Sequence, residues 1–318
     1  MFKKTFILVA AIALTATLFG GCGSIGVGSV RISEKDITPF NSISVSSSST
    51  RIELVESDGY GLDILVPDRF APEWDVTGGR LTIRENAAWF NSGWSIFPRN
   101  HYIKVYYPAG TAFTGVSLAS ASGRIELSRA DVADLRIESA SGRINAKAES
   151  AGNVSVESSS GDITFSGSGG NVRIISQSGA VQAVSDNCDA LSVTTSSGRI
   201  TLTGKGDTPT ALSVNTQSGR VDIKGGSWRD VTARTSSGGA NISGKMLGSA
   251  FVETASGSVQ ISVDGSLSEY GYSLTSSSGS IRLQGERMAK PAQSAGSFDN
   301  NINVVTSSGG IRVDFTNR

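Results

Sequence analysis

Cysteine, histidine and net charge are scarce in this chain of 318 residues, and each scarcity excludes a class of protein. The two cysteines, Cys22 and Cys188, are too few for a disulfide framework. Cys188 is more typical of an inert small residue than of a redox site. The only histidine, His101, has no neighbour in sequence that marks it as catalytic or metal-binding. Because 28 basic residues balance 28 acidic ones, the chain has no general attraction for nucleic acid or anionic lipid.

One repeated unit is abundant instead, a Ser-Gly pair embedded in alternating apolar and polar residues. Successive pairs are separated by 18 to 30 residues, most often by 19. Repetition at a near-constant period of about 20 residues predicts a solenoid or an array. The repeat glycines are Gly123, Gly142, Gly161, Gly179, Gly198, Gly219, Gly238, Gly257, Gly279 and Gly309.

The residues around each repeat glycine follow one pattern. Ser always precedes the glycine, Ser or Thr stands three residues before it, and apolar residues stand five before it and two and four after it. Alternation with period two on both sides predicts two short strands per unit, each with one buried face. In one unit Val193 and Ser197 share a face, whereas Ile200 has the opposite parity. The chain must therefore turn a corner at Gly198, and we expect glycine there to supply a positive φ.

These patterns predict an all-β fold, a β-solenoid of about ten 19-residue coils. We expect a right-handed parallel β-helix, because column-wise identity rewards the stacking of like residues about 4.8 Å apart. The stacked Ser and Thr hydroxyls should bond one another and the neighbouring backbone. They are expected to be structural, since ten near-identical serines cannot each have a catalytic base beside them. An antiparallel array, with each Ser-Gly pair as a hairpin turn, is the alternative.

Residues 1–21 have the layout of an export signal. A basic start precedes an apolar run over residues 6–19, which is too short to be a confident membrane span. Cys22 directly after Gly21 resembles the lipoprotein box of bacteria, and this resemblance implies cleavage before Cys22 and lipid on it. An ordinary signal that ends near a cysteine is the alternative. Residues 22–29 would be the lipidated cysteine and its tether, and several acyl chains would hold it stably on a membrane.

Residues 30–115 are β-like but poorly repetitive. They are the natural N-terminal cap of a solenoid over residues 116–318, because solenoids need atypical terminal units. Residues 43–54 look like a degenerate coil without its glycine. A short stretch of the cap concentrates aromatic side chains, which either bind sugar rings or a membrane surface or are buried as a plug of the first coil. These candidate binding residues are Trp89, Phe90, Trp94, Phe97 and Tyr102.

Two further features interrupt or decorate the repeat. Residues 286–298 form a polar insertion, which is a functional loop, a tolerated decoration or a cover for the open C-terminal end. Phe315 or a partner is the alternative cover. Arginine recurs directly after the repeat glycine, where parity predicts exposure, either as a solvated edge or as a stripe for anionic polysaccharide. These residues are Arg124, Arg143, Arg199 and Arg220, with Asp162 and Ala180 interrupting the series.

The tenfold Ser-Gly series and the segment before it resemble a known family. That segment, residues 102–110, reads Tyr-Ile-Lys-Val-Tyr-Tyr-Pro-Ala-Gly. Together they are similar to the bacterial "putative adhesin" family of β-strand-repeat proteins over most of residues 40–316. The resemblance implies a β-helix-like protein associated with the cell envelope. It offers no catalytic residues to transfer.

The favoured function is a non-catalytic envelope lipoprotein that displays a rigid β-solenoid for adhesion or scaffolding. An envelope-stress sensor or regulatory binding protein is the alternative. An enzyme that acts on polysaccharide is less favoured, because glycoside hydrolysis needs two paired carboxylates. Glu138, Glu157 and Glu253 share one repeat position, but they are scattered among unlike residues.

The expected partners follow from the same features. The membrane is expected through lipid on Cys22, and a glycan or an envelope protein through the solenoid. A second copy could pair through the open coil ends, which offer unpaired backbone edges. No nucleic acid, cofactor or metal is expected, and the glycine-rich repeat of calcium-binding β-rolls is absent from the sequence. We expect a lipid-anchored protein of the bacterial cell envelope, at the outer membrane or the cell surface.

Overall fold

The computed structural model describes residues 28–85 and 100–317. Within these ranges the chain consists of strands, two single-turn 3₁₀ helices at Asp68–Phe70 and Leu267–Glu269, and connecting turns, with no α-helix. The expected all-β class is confirmed. The strands, numbered in chain order, are β1 (Ser29–Lys35), β2 (Ser42–Ser47), β3 (Arg51–Ser57), β4 (Gly61–Pro67), β5 (Glu73–Thr77), β6 (Arg80–Arg84), β7 (Tyr102–Pro108), β8 (Ala112–Phe113), β9 (Gly115–Ser120), β10 (Ile125–Ser139), β11 (Ile144–Ser158), β12 (Ile163–Ser176), β13 (Val181–Thr195), β14 (Ile200–Gly204), β15 (Thr210–Thr216), β16 (Val221–Lys224), β17 (Ser227–Thr235), β18 (Ala240–Thr254), β19 (Val259–Ser266), β20 (Tyr270–Ser276), β21 (Ile281–Leu283), β22 (Glu286–Arg287), β23 (Ala292–Gln293), β24 (Asn300–Thr306) and β25 (Ile311–Asn317).

Equivalent strands of neighbouring repeats run parallel and in register. Ile125 of β10 pairs with Ile144 of β11, which in turn pairs with Ile163 of β12. Equivalent residues of successive units therefore lie over one another, as expected for a β-solenoid. The Ser-Gly steps are corners of a coil rather than hairpin turns, so the antiparallel alternative is wrong. The hand of the coil and the number of ten coils remain predictions.

Each unit bends a second time at a place that the apolar pattern does not reveal. In β10 the ladder to β11 shifts register between Leu127 and Asp131, and Arg129 within this bend has a φ of 47°. Asn187, with a φ of 58°, lies in the corresponding bend of β13. Backbone pairing resumes directly after the bend. Several units therefore contain one long bent strand where the sequence predicts two separate short ones.

The apolar core runs along the axis of the stack. Inward-facing residues on both sides of each corner, such as Val193 and Ile200, are inaccessible to solvent. Trp228 is also fully buried, and an added Cβ on Gly204 would approach its ring to 2.8 Å. Inward and outward positions alternate along the strand segments on both sides of each Ser-Gly corner, so the same ladder that buries the core determines which side chains reach the surface.

The repeat glycines are required by a close approach between layers, and the expectation that they supply a positive φ is wrong. None of them has a φ in the left-handed region, whereas Gly169 and Gly244 do. An added Cβ on Gly198 would lie 2.0 Å from the carbonyl oxygen of Gly179 in the neighbouring layer. For each of the other repeat glycines, an added Cβ would lie 1.8 to 2.1 Å from a carbonyl oxygen of a neighbouring corner. Stacked corners leave no room for a side chain.

The Ser/Thr column, three residues before each repeat glycine, is buried beneath the corners. In nine of the ten units its hydroxyl accepts the N–H of the repeat glycine, as Thr195 does from Gly198 at 3.1 Å. Some of these hydroxyls also donate to a carbonyl of the adjoining layer, as Thr254 does to Gly238 at 3.0 Å. The predicted bonds to the backbone are confirmed. The predicted bonds between hydroxyls of the column are wrong, because nine of the ten hydroxyls bond the corner backbone and the tenth, that of Ser139, has no hydrogen-bond partner among the described residues.

The N-terminal end of the stack does not follow chain order. β2 and β3 form a layer with Thr50 at the place of the repeat glycine, yet β6 and β7 lie outside this layer and pair with it. β5 pairs antiparallel with β6, β4 with β7, and β1 with β4. The Glu85 carboxylate accepts the Ser48 N–H at 2.5 Å and the Thr50 hydroxyl. Elsewhere in the stack such corner groups bond backbone carbonyls of the adjoining layer. At this end the Glu85 carboxylate replaces those carbonyls.

The C-terminal end is interleaved in the same way. β24 lies between β18 and β20, and β25 lies between β19 and β21. We call β24 and β25 (residues 300–317) the C-terminal layer, and β20 and β21 (residues 270–283) the outer layer. β22 and β23 of the 286–298 insertion pair antiparallel with the outer layer and partly cover it. Phe315 is buried inside, with its ring centroid 5.3 Å from that of Tyr270.

Candidate functional site

A polar groove runs along the stack beside the Ser-Gly corners, and we call it the axial groove. Corner residues two before the repeat glycines form one wall, outward residues four before them form the other, and the Ser/Thr column forms the floor. The N-terminal section has a volume of about 450 Å³ and the C-terminal section about 500 Å³. The sections adjoin where Ile175 pairs with Thr194. Strands carry one wall and the floor, so the ladder holds the groove in shape.

The C-terminal section of the axial groove is lined mainly by polar residues and has no net charge, with Ala255 and the exposed Val305 as its apolar members. Thr194, Asn215 and Gln217 contribute a hydroxyl and two amides to its lining. Its charged residues, Arg234 and Glu253, form an ion pair with each other at 3.3 Å. Such a lining offers hydrogen-bond donors and acceptors to a neutral ligand without attracting ions of either sign.

The N-terminal section is acidic. Glu138 and Glu157 occupy the same wall in adjacent layers and pair in register. Arg136 forms an ion pair with Glu138, and the Ser155 hydroxyl donates to Glu157 at 3.4 Å. In the sequence these carboxylates are scattered among unlike residues, but stacking brings two of them together. Glu253 lies in the other section of the groove, so it does not join this pair.

Of the candidate aromatic residues the structure describes Tyr102, and Tyr102 does not line the axial groove. Trp89, Phe90, Trp94 and Phe97 lie outside the described residues. Tyr102 is half-buried in β7 and donates its hydroxyl to Asp63 at 3.0 Å. Its register places it above Arg51, on the other side of the corner from the groove. Cys22, the expected lipidation site, also lies outside the described residues.

The arginine column is exposed, as predicted, and likewise lies on the other side of the corner from the groove. Arg124 forms an ion pair with Glu126 at 3.3 Å, and Arg143 with Asp162 at 3.7 Å. Asp162 was expected to interrupt the basic stripe, and it also neutralises one of its members. Paired, exposed arginines of this kind are typical of a solvated edge.

Cys188 is fully buried, and its thiol donates to the Gly167 carbonyl at 3.5 Å. Burial raises the pKa of this thiol, which keeps it protonated and unreactive at neutral pH. Elsewhere in the described part of the chain, no cluster of three or more His, Cys, Asp or Glu side chains is arranged to hold a metal ion. Residues 28–85 and 100–317 also contain no helix with the length and apolar character needed to cross a membrane.

The axial groove itself was missed by sequence reasoning. Part of its signal was present, because the residue two before the repeat glycine is Ser or Gln in seven of the ten units, whereas the residue four before it is Thr or Asn in only three. Those columns vary too much to stand out beside the Ser-Gly pair. Only the stack shows that they face each other across one trough.

The fold and groove define this protein as a repeat protein of the β-solenoid type with a polar surface trough along its axis. The sequence model of the Toastrack DUF4097 family matches residues 40–211 and 170–314, and the chain belongs to that family. This match confirms the family resemblance carried by the Ser-Gly series. No curated protein matches the chain.

Several solved structures are similar to the chain at low sequence identity. A "putative adhesin" from Bacteroides fragilis is 12% identical with a TM-score of 0.36, over 91% of this chain and 98% of its own. A "putative lipid binding protein" from Parabacteroides distasonis is 15% identical with a TM-score of 0.41, over 89% and 96%. A "putative cell adhesion protein" from Clostridium sporogenes is 9% identical with a TM-score of 0.21, over 90% and 100%.

Proposed function

We propose that this protein is a non-catalytic, lipid-anchored protein of the bacterial cell envelope that holds an extended neutral polysaccharide along the axial groove, for adhesion or scaffolding. The observation that carries the proposal is the C-terminal section of the groove, which extends over five layers, is lined mainly by hydroxyl and amide side chains, and has no net charge. A polysaccharide presents hydroxyl groups along its whole length, and these groups need neutral donors and acceptors.

The spacing of the groove supports an extended ligand. Equivalent groups recur at every layer, about 4.8 Å apart, because they belong to neighbouring parallel strands. Thr194, Asn215 and Arg234 are such a series, paired through β13, β15 and β17. A chain that lies along the axis meets a further outward side chain at each layer. Weak contacts repeated in this way add up to useful affinity.

The position of the N terminus supports an orientation on the membrane. β1 begins at Ser29 and belongs to the antiparallel cap at one end of the stack. If Cys22 carries lipid, the six residues between it and β1 span at most about 20 Å. The cap would then lie close to the membrane, and the C-terminal section of the groove would lie farthest from it.

The groove can be tested by removing its amides. We expect Asn215→Ala with Gln217→Ala to weaken binding about 10-fold or more, because each lost hydrogen bond contributes about 0.5–1.5 kcal/mol. The matched control is Asn145→Ala with Gln182→Ala, two exposed amides on the other side of the corner. Binding would be measured by affinity electrophoresis in a soluble glucan, mannan, galactan and polyuronate.

Three results would count against the groove. The first is equal binding by the groove variant and the control variant. The second is that none of the neutral polymers retards the wild-type protein, and the third is that the wild type binds the polyuronate more tightly than the neutral polymers. The proposal that the protein is not an enzyme is tested separately, by incubating it with the same polysaccharides. Incubation should release no new reducing ends, and release that depends on Glu138 or Glu157 would make the protein an enzyme.

A further inference from the structure

The chain skips one layer near its C-terminal end and fills it later. β19 belongs to the layer of Gly257, but β20, the next strand, lies two layers further along the stack. The chain then passes through the 286–298 insertion and returns with the C-terminal layer, which fills the vacant place. This layer is paired on both sides, by β18 and β19 and by the outer layer.

The place between the layer of Gly257 and the outer layer, which we call the slot, accepts only a corner that has no side chain. An added Cβ on Gly309 would lie 1.8 Å from the Gly257 carbonyl oxygen, and one on Gly279 would lie 1.9 Å from that of Gly309. Thr306 donates to Gly257 at 3.3 Å, and Ser276 donates to Gly309 at 2.9 Å. A segment with a side chain at the corner would not fit, whereas a second copy of residues 300–317 fits by the same contacts.

The connection to the C-terminal layer is held weakly. Within the 286–298 insertion, β22 and β23 have two residues each, and most of its side chains are exposed or half-buried. Little apolar surface is buried there to oppose a change in path. The layer itself is different, because Ile302, Val304 and Val313 are inaccessible to solvent.

We propose that two copies of this protein can exchange their C-terminal layers, each inserting residues 300–317 into the slot of the other. Exchange of an identical element reproduces the contacts that the C-terminal layer makes in the closed monomer, so the cost is confined to the hinge and to the joining of two chains. The 286–298 insertion is the hinge. The exchange does not depend on any ligand, but it affects the axial groove, because Val305 and Ser307 line it and would come from the partner.

In the closed form β20 pairs with β24 of its own chain, whereas in the exchanged form it pairs with β24 of the partner. Ser273 of β20 pairs with Asn303 of β24, and both are half-buried on the outward face. Paired positions on adjacent strands are within reach of a disulfide bond. A bond between these two positions is therefore intramolecular in a closed monomer and intermolecular after exchange.

The test mixes two single variants, Ser273→Cys and Asn303→Cys, in the full chain carrying Cys22→Ser. The two proteins are unfolded, refolded together at high concentration, oxidised and separated on a non-reducing gel. The matched control mixes Ser213→Cys with Thr232→Cys, which pair in the same column inside the stack. We expect a 273–303 linked dimer, identified by mass spectrometry of the linked peptide, at least tenfold above the control.

Two results would overturn the exchange. One is a linked dimer no more abundant than in the interior control. The other is failure of the double variant Ser273→Cys with Asn303→Cys to cross-link at low concentration, because both forms require that pairing. Cross-linking within one chain at low concentration and between chains after co-refolding establishes exchange.

Discussion

At the scale of single residues, a repeat glycine matters for the space that it leaves rather than for the dihedral angles that it permits. At Gly198 the nearest atoms to an added Cβ are the carbonyl oxygen and carbon of Gly179, at 2.0 and 2.8 Å. Backbone atoms of a stacked layer cannot move aside as the end of a flexible side chain can. The approach also places the Gly198 N–H within reach of the Thr195 hydroxyl.

Substitution at Gly198 distinguishes these two reasons. We expect Gly198→Ala to destabilise the protein by about 1–3 kcal/mol, since overpacking forces the backbone to shift. Gly198→Asn should be at least as harmful, although asparagine tolerates a left-handed φ better than alanine does. Urea unfolding followed by circular dichroism measures both. The exposed neighbour supplies the control, and Ser197→Ala should change stability by less than about 0.5 kcal/mol. An asparagine variant as stable as the wild type would restore the dihedral explanation.

At the scale of strands and layers, Tyr107 connects the outermost N-terminal layer to one further inside. It lies in β7, is 2% exposed, and shares its hydroxyl proton between the carbonyls of Ser128 and Arg129, at 2.6 and 2.7 Å. Those carbonyls belong to the second bend of β10, and Phe113 packs edge-on against the tyrosine ring. Burial raises the pKa of Tyr107, and the negative charges of Glu56 and Glu149 raise it further.

This pKa shift predicts a loss of stability in alkali. Above pH 10 the unfolded chain releases the Tyr107 proton while the folded chain keeps it, so the free energy of unfolding falls as pH rises. The slope is about 1.4 kcal/mol per pH unit for one proton. Tyr107→Phe should reduce this slope, and it should cost about 0.5–1.5 kcal/mol at pH 8 because two partly buried carbonyls lose their donor.

Urea titrations between pH 8 and pH 11 measure this effect. Tyr270 is also buried and its pKa is also raised, so part of the alkaline slope should remain in Tyr107→Phe. Tyr106→Phe, on the same strand but only half-buried, serves as the control. A Tyr107→Phe variant that keeps the full slope would show that the hydroxyl does not couple the fold to pH.

At the scale of the whole molecule, both ends are closed by the same construction. The first regular layer, β2 and β3, and the last strands in sequence, β24 and β25, each lie one layer inside the stack. Antiparallel strands then partly cover the outermost layers. Exposed parallel edges invite association with other β-strands, and this arrangement limits that exposure.

The expected anchor is also tested on the whole molecule. In the native host, radiolabelled palmitate should label the wild type and Cys188→Ala but not Cys22→Ala, because lipid is expected on Cys22 alone. The wild type should sediment with membranes, and protease added to intact cells should cleave it. Labelling of Cys22→Ala would contradict the lipoprotein proposal. Protection of a lipidated wild type until the envelope is opened would contradict surface display and leave an envelope scaffold.

Much of the fold followed from the sequence, because the alternation of apolar and polar residues and the spacing of the Ser-Gly pairs can be read directly along the chain. Residues 43–54, predicted to be a degenerate coil without its glycine, belong to the layer that β2 and β3 form. The corner at each Ser-Gly pair and the buried faces on both sides were predicted in the same way. The reason for glycine was not, since a contact between layers has no signature within one unit.

The sequence by itself determined the class, the repeat and the inward face of each strand, because alternation decides which side chains can be buried. Only the tertiary structure decided the order of the layers, since ten similar units leave several stacking orders equally good locally. It also decided the axial groove, where Glu138 meets Glu157 and Arg234 meets Glu253 across successive layers. Residues about 19 apart become neighbours only when the coil closes and stacks, and both proposals rest on contacts of that kind.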